Sequence, residues 1–493
     1  MTTPQISRYA PKYHFYSPSQ PLGMPFDPNG AIYWRGKHHL FYIFQNPELP
    51  HGGHCWGHAS SPDLLNWTIH PPALVPNPGD PDVGIFSGCA LVNKEGIPTL
   101  VYYGVNAGCC IATALDDDLI HWQKSPHNPV IPQTEGKPED QVFNIFDPHV
   151  WVEGDHYLGI FGSLVKPFRQ RDTAYLFRSD DLIHWEYLRP FYTPNCEWTE
   201  DHEDMACPDF FKLGDRHVLL GISHPIGARY YLGDYHQETF IPESHHRLNY
   251  PGGTLFAPES YLDGQGRRIA WFWMIDQQRQ PPAECGNNIM SLPRVMTLAE
   301  NRQEINWDIP VEYTKLRQDE QSTHQLKLEK NQPFRIPSLE GDALELDITV
   351  SHTCGKLEIR VLESTDTMEY AAIIIEPEKG RWSIDVSHIG NRAEISNRSP
   401  IWAMKPIPPD IYAEHTAQIA PFALREEEKL HLRVFIDRSI VEVFANGRHT
   451  LSQRVYPTTD SRRFISLVAD NDTMVDQLQS WQMAAMEYMV ERE

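Results

Sequence analysis

The heptapeptide SPDLLNW, residues 61–67, recurs twice in this chain. It returns as DDDLIHW at residues 116–122 and as SDDLIHW at residues 179–185, so its tryptophans are 55 and 63 residues apart. Each copy follows a strand-like run. The aligned Asp can cap a tight turn through backbone N–H groups, while Leu and Trp pack back onto a sheet. A period of about 50–60 residues with several strands per unit is typical of β-propeller blades.

A second series, out of phase with the first, places a polar residue beside Pro or Gly. Its steps are 60, 60, 62 and 50 residues, and its members are Asp27-Pro28, Ser87-Gly88, Asp147-Pro148, Pro208-Asp209 and Pro258-Glu259. Five blades that each contribute an inner strand would place these positions around one axial funnel. The spacing therefore predicts that acidic groups distant in sequence converge on one pocket.

Short runs of β-branched and aromatic residues between turn signals fill the chain, and helical periodicity is scarce, which indicates an all-β protein. Near residue 310 the blade signals stop, and at least seven alternating strands follow, which favours a β-sandwich. We predict a five-bladed β-propeller over residues 1–310 and a β-sandwich over residues 320–493, with a long loop within residues 390–428. The predicted sandwich strands are Ala343–Val350, Lys356–Leu362, Tyr370–Ile375, Arg381–Val386, Leu430–Ile436, Ile440–Phe444 and Phe464–Val468.

The composition excludes several classes of protein. The 493 residues include 42 Lys and Arg against 66 Asp and Glu, a formal net charge of −24. So acidic a surface repels phosphate backbones and anionic lipid, so neither a nucleic acid nor a membrane is an expected partner. The start of the chain lacks the pattern of a secretory signal. The eight cysteines lack CxxC spacing and scaffold density, so free thiols in the cytoplasm are expected.

An acidic funnel of this kind suits carbohydrate chemistry. Two carboxyl groups on opposite sides of a sugar can cleave a glycosidic bond, one as nucleophile or water activator and the other as proton donor. Aromatic rings stack on the apolar faces of sugars, and Trp34, Trp56, Phe86 and Trp151 are candidates for such a wall. Rings of this kind also fill ordinary β cores.

Motifs spread along nearly the whole chain point to one family. In order, they are His14-Phe15, Asp27-Pro-Asn-Gly30, His39-Leu-Phe-Tyr42, Trp56-Gly-His-Ala59, Phe86-Ser-Gly88, Asp147-Pro148, Cys207-Pro-Asp209, Phe256-Ala-Pro258, Leu292-Pro-Arg294, Asp437-Arg-Ser439 and Val441-Glu-Val-Phe444. Together they resemble glycoside hydrolase family 32, which includes invertases, fructan hydrolases and sucrose-6-phosphate hydrolases. The resemblance implies a five-bladed propeller followed by a β-sandwich, and hydrolysis of β-fructofuranosidic bonds that needs no metal or other cofactor.

The resemblance also implies roles for individual residues. Asp27 matches the nucleophile that attacks the anomeric carbon in a retaining mechanism, and Asp147 matches the stabiliser of the transition state. Phe86 and Ser87 match a substrate-contacting segment, and Trp56 matches an aromatic residue of the pocket wall.

Three residues depart from the family pattern around the expected sugar-binding subsite. Phe26 stands where the family usually has Asn before the nucleophile, and Phe146 stands where it usually has Arg before the second Asp. Ala206 stands where the family has its acid/base Glu, directly before Cys-Pro-Asp. Alanine cannot donate a proton, and the two phenylalanines are expected to make the pocket more apolar.

Three explanations for these departures stay open. In the first, another carboxyl group supplies the proton, and Glu203 is preferred because an apolar wall would raise its pKa. Asp204 and Glu259 are the further candidates for the acid, and both are also predicted to bind substrate. Alternatively, the protein binds a fructosyl or related sugar without cleaving it, or it acts on a sugar other than an ordinary β-fructofuranoside.

Transfer to an acceptor sugar in place of water is also open. The expected partner is a small-molecule or oligosaccharide substrate. Two roles stay open for the sandwich, which are extension of the substrate cleft and a homodimer contact.

Overall fold

The fold is built almost entirely from β-strands. The computed structural model describes residues 7–17, 26–46, 49, 53–133, 146–162, 164–165, 169–170, 172–193, 195, 197–200, 203–276, 286, 288–351, 355–390, 415–459 and 462–491. Within these residues the strands are accompanied only by two short 3-10 helices, Val311–Leu316 and Pro377–Lys379, so the all-β prediction is confirmed. None of the helices described is long and apolar enough to cross a membrane.

Residues 28–308 form five successive antiparallel sheets, each built on four strands. Their strands are β1 Pro28–Trp34, β2 Lys37–Gln45, β3 His54–Ser61 and β4 Asn66–Leu74, then β5 Ile85–Val92, β6 Pro98–Gly104, β7 Gly108–Ala114 and β8 Trp122–Lys124 with β9 Ile131–Pro132 beside β7, then β10 His149–Glu153, β11 His156–Phe161, the hairpin β12 Leu164–Val165 and β13 Arg169–Gln170, β14 Tyr175–Ser179 and β15 Trp185–Pro190, then β16 Ala206–Leu213, β17 Arg216–Ser223, β18 Gly227–His236 and β19 Thr239–Arg247, and last β20 Leu255–Leu262, β21 Arg268–Met274, β22 Arg294–Leu298 and β23 Ile305–Asp308.

The first strands of these five sheets lie side by side in a closed ring. Strand β1 contacts β5, β5 contacts β10, β10 contacts β16, β16 contacts β20, and β20 returns to β1. From the ring, each sheet continues strand by strand to its fourth strand. This is the arrangement of propeller blades around an axis, as the interleaved repeats predict.

The repeated heptapeptide forms the turn between the third and fourth strands of the first three blades. In all three copies the indole N–H of the tryptophan donates to the carbonyl of the leucine three residues before it, at 2.9–3.0 Å. The leucine has a positive φ of 59–66° and is buried. Asp63 and Asp181 cap the turn through two backbone N–H groups each, whereas the second copy uses Asp116 rather than the aligned Asp118.

Two six-stranded antiparallel sheets follow the propeller and enclose a second apolar core. Their strands are β24 Arg317–Leu328, β25 Phe334–Glu340, β26 Ala343–Val350, β27 Leu357–Glu363, β28 Ala371–Glu376, β29 Arg381–Asp385, β30 Ala417–Pro421, β31 Leu430–Asp437, β32 Ile440–Ala445, β33 His449–Arg454, β34 Phe464–Ala469 and β35 Thr473–Met483. The sheet orders are β24-β35-β26-β31-β32-β33 and β25-β34-β27-β28-β29-β30. All seven predicted sandwich strands are present, with ends within one residue. Most of the predicted loop, residues 391–414, lies outside the described residues.

The sandwich differs from the predicted residues 320–493 at both ends. Strand β24 begins at Arg317, three residues before the predicted start of the sandwich, and it is mostly exposed. After β35 the chain returns to the propeller, where β36, Glu487–Val490, pairs in parallel with β4. The first blade is thus completed by residues that follow the sandwich.

A buried ionic network joins the two domains. His14 lies between two sandwich carboxylates, with Nδ1 at 2.9 Å from Asp437 Oδ2 and Nε2 at 3.1 Å from Glu442 Oε1. Arg294 of the propeller donates to Glu442 Oε2 at 2.6 Å, and all four side chains are fully buried. Burial alone would lower the pKa of His14, but the two carboxylates raise it. Burial alone would raise the pKa of Glu442, but Arg294 and His14 lower it to about 2. Four of the sequence motifs therefore meet at the domain contact.

Candidate active site

The beginnings of the five first strands meet at one end of the propeller axis. Asp27 directly precedes β1, and Asp147 lies two residues before β10. Ser87 is the third residue of β5, Cys207 is the second residue of β16, and Phe256 is the second residue of β20. Close to this end, the pairing register shifts by a β-bulge or similar irregularity in four of these strands, namely β1, β5, β16 and β20. Such bulges are common beside active sites because they re-aim side chains.

Asp27 is held in a defined orientation. Its Oδ2 accepts a hydrogen bond from Ser87 Oγ at 2.9 Å, whereas Oδ1 has no hydrogen-bond partner among the described residues. Asn29 fixes the surrounding backbone, since it donates to the Asp27 carbonyl at 2.8 Å and accepts from the Gly88 N–H at 2.9 Å. Burial, with the charge of Asp147, raises the pKa of Asp27 to about 7.

Asp147 is the second buried carboxyl group at this end. Its Oδ2 accepts the Cys207 N–H at 3.1 Å and lies 3.6 Å from the Cys207 thiol, which itself is 3.8 Å from Ser87 Oγ. Burial raises the pKa of Asp147 to about 6. Asp147 and Cys207 have φ values of 49° and 45°, a left-handed conformation that is strained for non-glycine residues and clusters at functional sites.

His224 joins this group and was not identified from the sequence. It follows β17, and its Nδ1 is 2.6 Å from Asp204 Oδ2, while its backbone N–H donates to Asp204 Oδ1 at 2.9 Å. The charges of Asp147 and Asp27 also act on His224, since both raise its pKa. One signal could have found it. Strand β17 pairs antiparallel with β16, so a polar residue just after β17 must return to the beginning of β16.

The structure does not support Glu203 as a proton donor. Glu203 is fully buried, and its two oxygens accept hydrogen bonds from Arg247 at 2.6 and 2.9 Å and from Arg229 at 3.0 Å. Although burial alone would raise it, these arginines lower the pKa of Glu203 to about 2. The prediction of a raised pKa is therefore wrong, because two arginines, rather than an apolar wall, surround the carboxylate.

Ala206 and Asp204 occupy supporting positions. Ala206 is fully buried in the apolar core opposite Ile222 of β17, so no side chain replaces the expected acid at that place. Asp204 is also fully buried, and both of its oxygens are taken by His224. Asp204 therefore orients His224, and substrate binding by Asp204 stays a prediction.

Glu259 lies deeper along the axis than Asp27. Its Oε1 accepts the N–H of Ala31, four residues further along the chain, at 3.2 Å. Burial and the nearby charge of Asp209 raise the pKa of Glu259 well above its usual value. Glu259 therefore contacts the backbone of β1 further along the strand than Asp27, and substrate binding by Glu259 stays a prediction.

A row of aromatic rings borders the site. The half-buried Phe86 ring lies 4.6 Å from the ring of His54 and 6.5 Å from that of Tyr103, whose ring is 6.5 Å from Phe146. Trp56 is fully buried and donates its indole N–H to the Phe86 carbonyl at 3.0 Å. Trp56 thus supports the backbone of Phe86, and a place for Trp56 in the pocket wall stays a prediction.

The other predicted aromatic residues lie elsewhere. Trp34 ends β1, at the opposite end from Asp27, and Trp151 packs on Phe191 and Phe210. Phe26 is buried against Tyr42, with ring centroids 4.8 Å apart, and does not face the pocket. The expected apolar remodelling is therefore limited to the Phe146 side.

Two family profiles together match most of the chain. The profile described as "Glycosyl hydrolases family 32 N-terminal domain" matches residues 14–307, and "Glycosyl hydrolases family 32 C terminal" matches residues 312–482.

Curated proteins and solved structures are similar over the same length. A sucrose-6-phosphate hydrolase of Zymomonas mobilis is 28% identical, and the alignment covers 92% of this chain and 89% of that protein. A fructan 1-exohydrolase of Hordeum vulgare is 26% identical, with 99% and 90% covered. The crystal structure of fructan 1-exohydrolase IIa from Cichorium intybus superposes with a TM-score of 0.82 at 23% identity, covering 99% of both chains.

Proposed function

Since this chain belongs to glycosyl hydrolase family 32, we propose that it is a glycosidase that hydrolyses β-fructofuranosidic bonds in sucrose, fructo-oligosaccharides or fructans. Asp27 is the nucleophile and Asp147 the stabiliser of the transition state. The observation that carries the proposal is the Asp27 carboxyl group, which has one oxygen fixed by Ser87 and the other without a hydrogen-bond partner among the described residues.

The geometry supports a retaining mechanism with a covalent intermediate. A carboxylate whose orientation is fixed through one oxygen can attack the anomeric carbon with the other. Asp147, fixed through the Cys207 N–H, faces the same space and can accept hydrogen bonds from sugar hydroxyls. The half-buried Phe86 ring supplies an apolar surface against which an apolar sugar face can pack.

The proposed location is the cytoplasm. Five cysteines are free thiols in the part of the chain that the structure describes, namely Cys55, Cys89, Cys109, Cys110 and Cys207. Free thiols in this number favour a reducing compartment.

The first test is reducing-sugar release from sucrose, sucrose-6-phosphate, inulin and levan by the native chain, Asp27→Asn and Asp117→Asn. Asp117 is exposed on a turn far from Asp27, so its substitution controls for the loss of one carboxylate. We expect the native chain and Asp117→Asn to release sugar equally from at least one saccharide, and Asp27→Asn to be inactive. Calorimetric binding of a saccharide without any product would instead support a sugar-binding protein.

A further inference from the structure

A family 32 chain without the expected acid needs another source of the proton for the leaving oxygen. We propose that His224, oriented by Asp204, is the general acid and base of this active site. This inference rests on the proposed function, because it concerns the same bond cleavage. It assigns to an imidazole the role that a carboxyl group has in the family pattern, and His224 follows by two residues the Ile222 that pairs with Ala206.

The hydrogen bonds of His224 leave one ring nitrogen for chemistry. Nδ1 is fixed by Asp204 at 2.6 Å, and the His224 backbone N–H is fixed by the other oxygen of the same carboxylate. Nε2 has no hydrogen-bond partner among the described residues. The His224 side chain is 18% exposed whereas Asp204 is fully buried, so the imidazole and not the carboxylate reaches the pocket.

The ring is also held from a second side. Phe256, at the beginning of β20, meets it edge-on at 6.2 Å between ring centroids. A histidine oriented by a buried carboxylate and by an aromatic edge can present Nε2 in one direction.

Among the described residues, the charged groups that act most strongly on His224 are carboxyl groups. Asp204 precedes β16, Asp147 precedes β10, and Asp27 precedes β1. Although burial acts in the opposite direction, these groups raise the pKa of His224, so the ring stays protonated closer to neutral pH. In return, the imidazolium lowers the pKa of Asp27 and of Asp147 and favours the ionised nucleophile.

The other candidates are excluded by their contacts. Glu203 is ionised between two arginines, and Glu259 lies a level deeper, at Ala31. The Cys207 thiol faces Asp147, and burial raises its pKa well above the usual value. Among the described residues, His224 alone combines a free proton-bearing atom, partial exposure and proximity to Asp27.

The steps balance without a further reactant. Asp27 Oδ1 forms a bond to the anomeric carbon, the bond from that carbon to the leaving oxygen breaks, and its electron pair takes the proton from Nε2. Neutral His224 then removes a proton from water, whose oxygen attacks the anomeric carbon. The carbon–Asp27 bond breaks, and its electron pair restores the Asp27 carboxylate.

The test compares two leaving groups in His224→Gln, with His236→Gln as the matched control because His236 is exposed at the end of β18. One substrate is the natural saccharide that the native chain cleaves, and the other is an aryl β-fructofuranoside that releases p-nitrophenolate. We expect kcat/KM on the saccharide to fall by about 100- to 10,000-fold, because its alkoxide must be protonated. The rate of p-nitrophenolate release in the first turnover should fall by less than about tenfold, because this leaving group needs no acid.

Asp204→Asn supplies a readout that a merely structural role would not change. Loss of its charge should move the alkaline limb of the pH–kcat/KM profile to lower pH, while the acidic limb, set by Asp27 and Asp147, should move far less. Two outcomes for folded His224→Gln would overturn the role of His224 but not the proposed function. They are equal losses of activity on both substrates and saccharide activity close to that of the native chain. A native chain inactive on both substrates would overturn the proposed function as well.

Discussion

Substitution of Glu442 by Gln should weaken the junction between propeller and sandwich. The carboxylate accepts hydrogen bonds from Arg294, Ser452 and the Leu292 N–H, and it also faces His14. Glutamine keeps the volume but removes the charge, and its amide nitrogen presents donors to groups that themselves donate. Arg294 then stays buried without its counter-charge.

Two independent routes give the magnitude. A fall in the pKa of Glu442 from 4.5 to about 2 corresponds to roughly 3–4 kcal/mol of folding stability, at about 1.4 kcal/mol per pKa unit. Removing one partner of a buried ion pair typically destabilises a protein by about 3–5 kcal/mol. We therefore expect Glu442→Gln to lower the free energy of unfolding by about 3–5 kcal/mol.

The assay is urea unfolding of the native chain, Glu442→Gln and Glu329→Gln across a pH series. Glu329 is exposed in the same domain, so its substitution should change stability by less than about 0.5 kcal/mol. The pKa of Glu442 is lower in the folded state, so its contribution is full above about pH 4.5 and is lost as the pH falls towards its folded value. The difference between native and Glu442→Gln should thus shrink from about pH 5 to about pH 3. A difference below about 1 kcal/mol at neutral pH, or one that grows with acidification, would refute the reasoning.

Two further predictions concern the site. Glu203→Gln should lower the midpoint of thermal unfolding, because it breaks a buried ion pair with Arg229. The alkaline limb of its pH–rate profile should stay unchanged, and loss of that limb would contradict a structural role for Glu203. Gly88→Ala should lower both stability and activity, because the added Cβ would lie 2.0 Å from the Val101 carbonyl oxygen and must displace Ser87. Gly84→Ala is the control, since its Cβ would meet nothing nearer than 3.3 Å, and it should change the melting temperature and the activity only slightly in the same assays.

The propeller was predictable because its signals are local. The capped turn between third and fourth strands needs only an Asp, a Leu with positive φ and a Trp within seven residues, so it is readable wherever it recurs. Even so, the second copy shows the limit of alignment, since Asp116 takes the place of Asp118. The exposed strand β24 was missed because a solvated edge strand has the composition of a linker.

The site was predictable only in part. Strand beginnings placed Asp27 and Asp147 correctly at one end of the axis, but the environment of each remaining residue depended on partners distant in sequence. The arginines that bind Glu203 lie 26 and 44 residues later, and no local pattern announces them. The contact of the Trp56 indole with the backbone of Phe86, 30 residues away, has no local signal either.

The parallel pairing of β36 with β4 means that β4 gains its outer partner strand only late in synthesis. Glu487 pairs with Asn66, so a ribosome must add 421 further residues after Asn66 before the first blade receives its outermost strand. At about 5–20 residues per second, this interval lasts roughly 20–80 s. Throughout it, the outer edge of β4 carries unpaired backbone groups of the kind that recruit foreign strands. The nascent propeller is thus exposed to strand exchange until the entire sandwich has been translated, and β36 closes that edge.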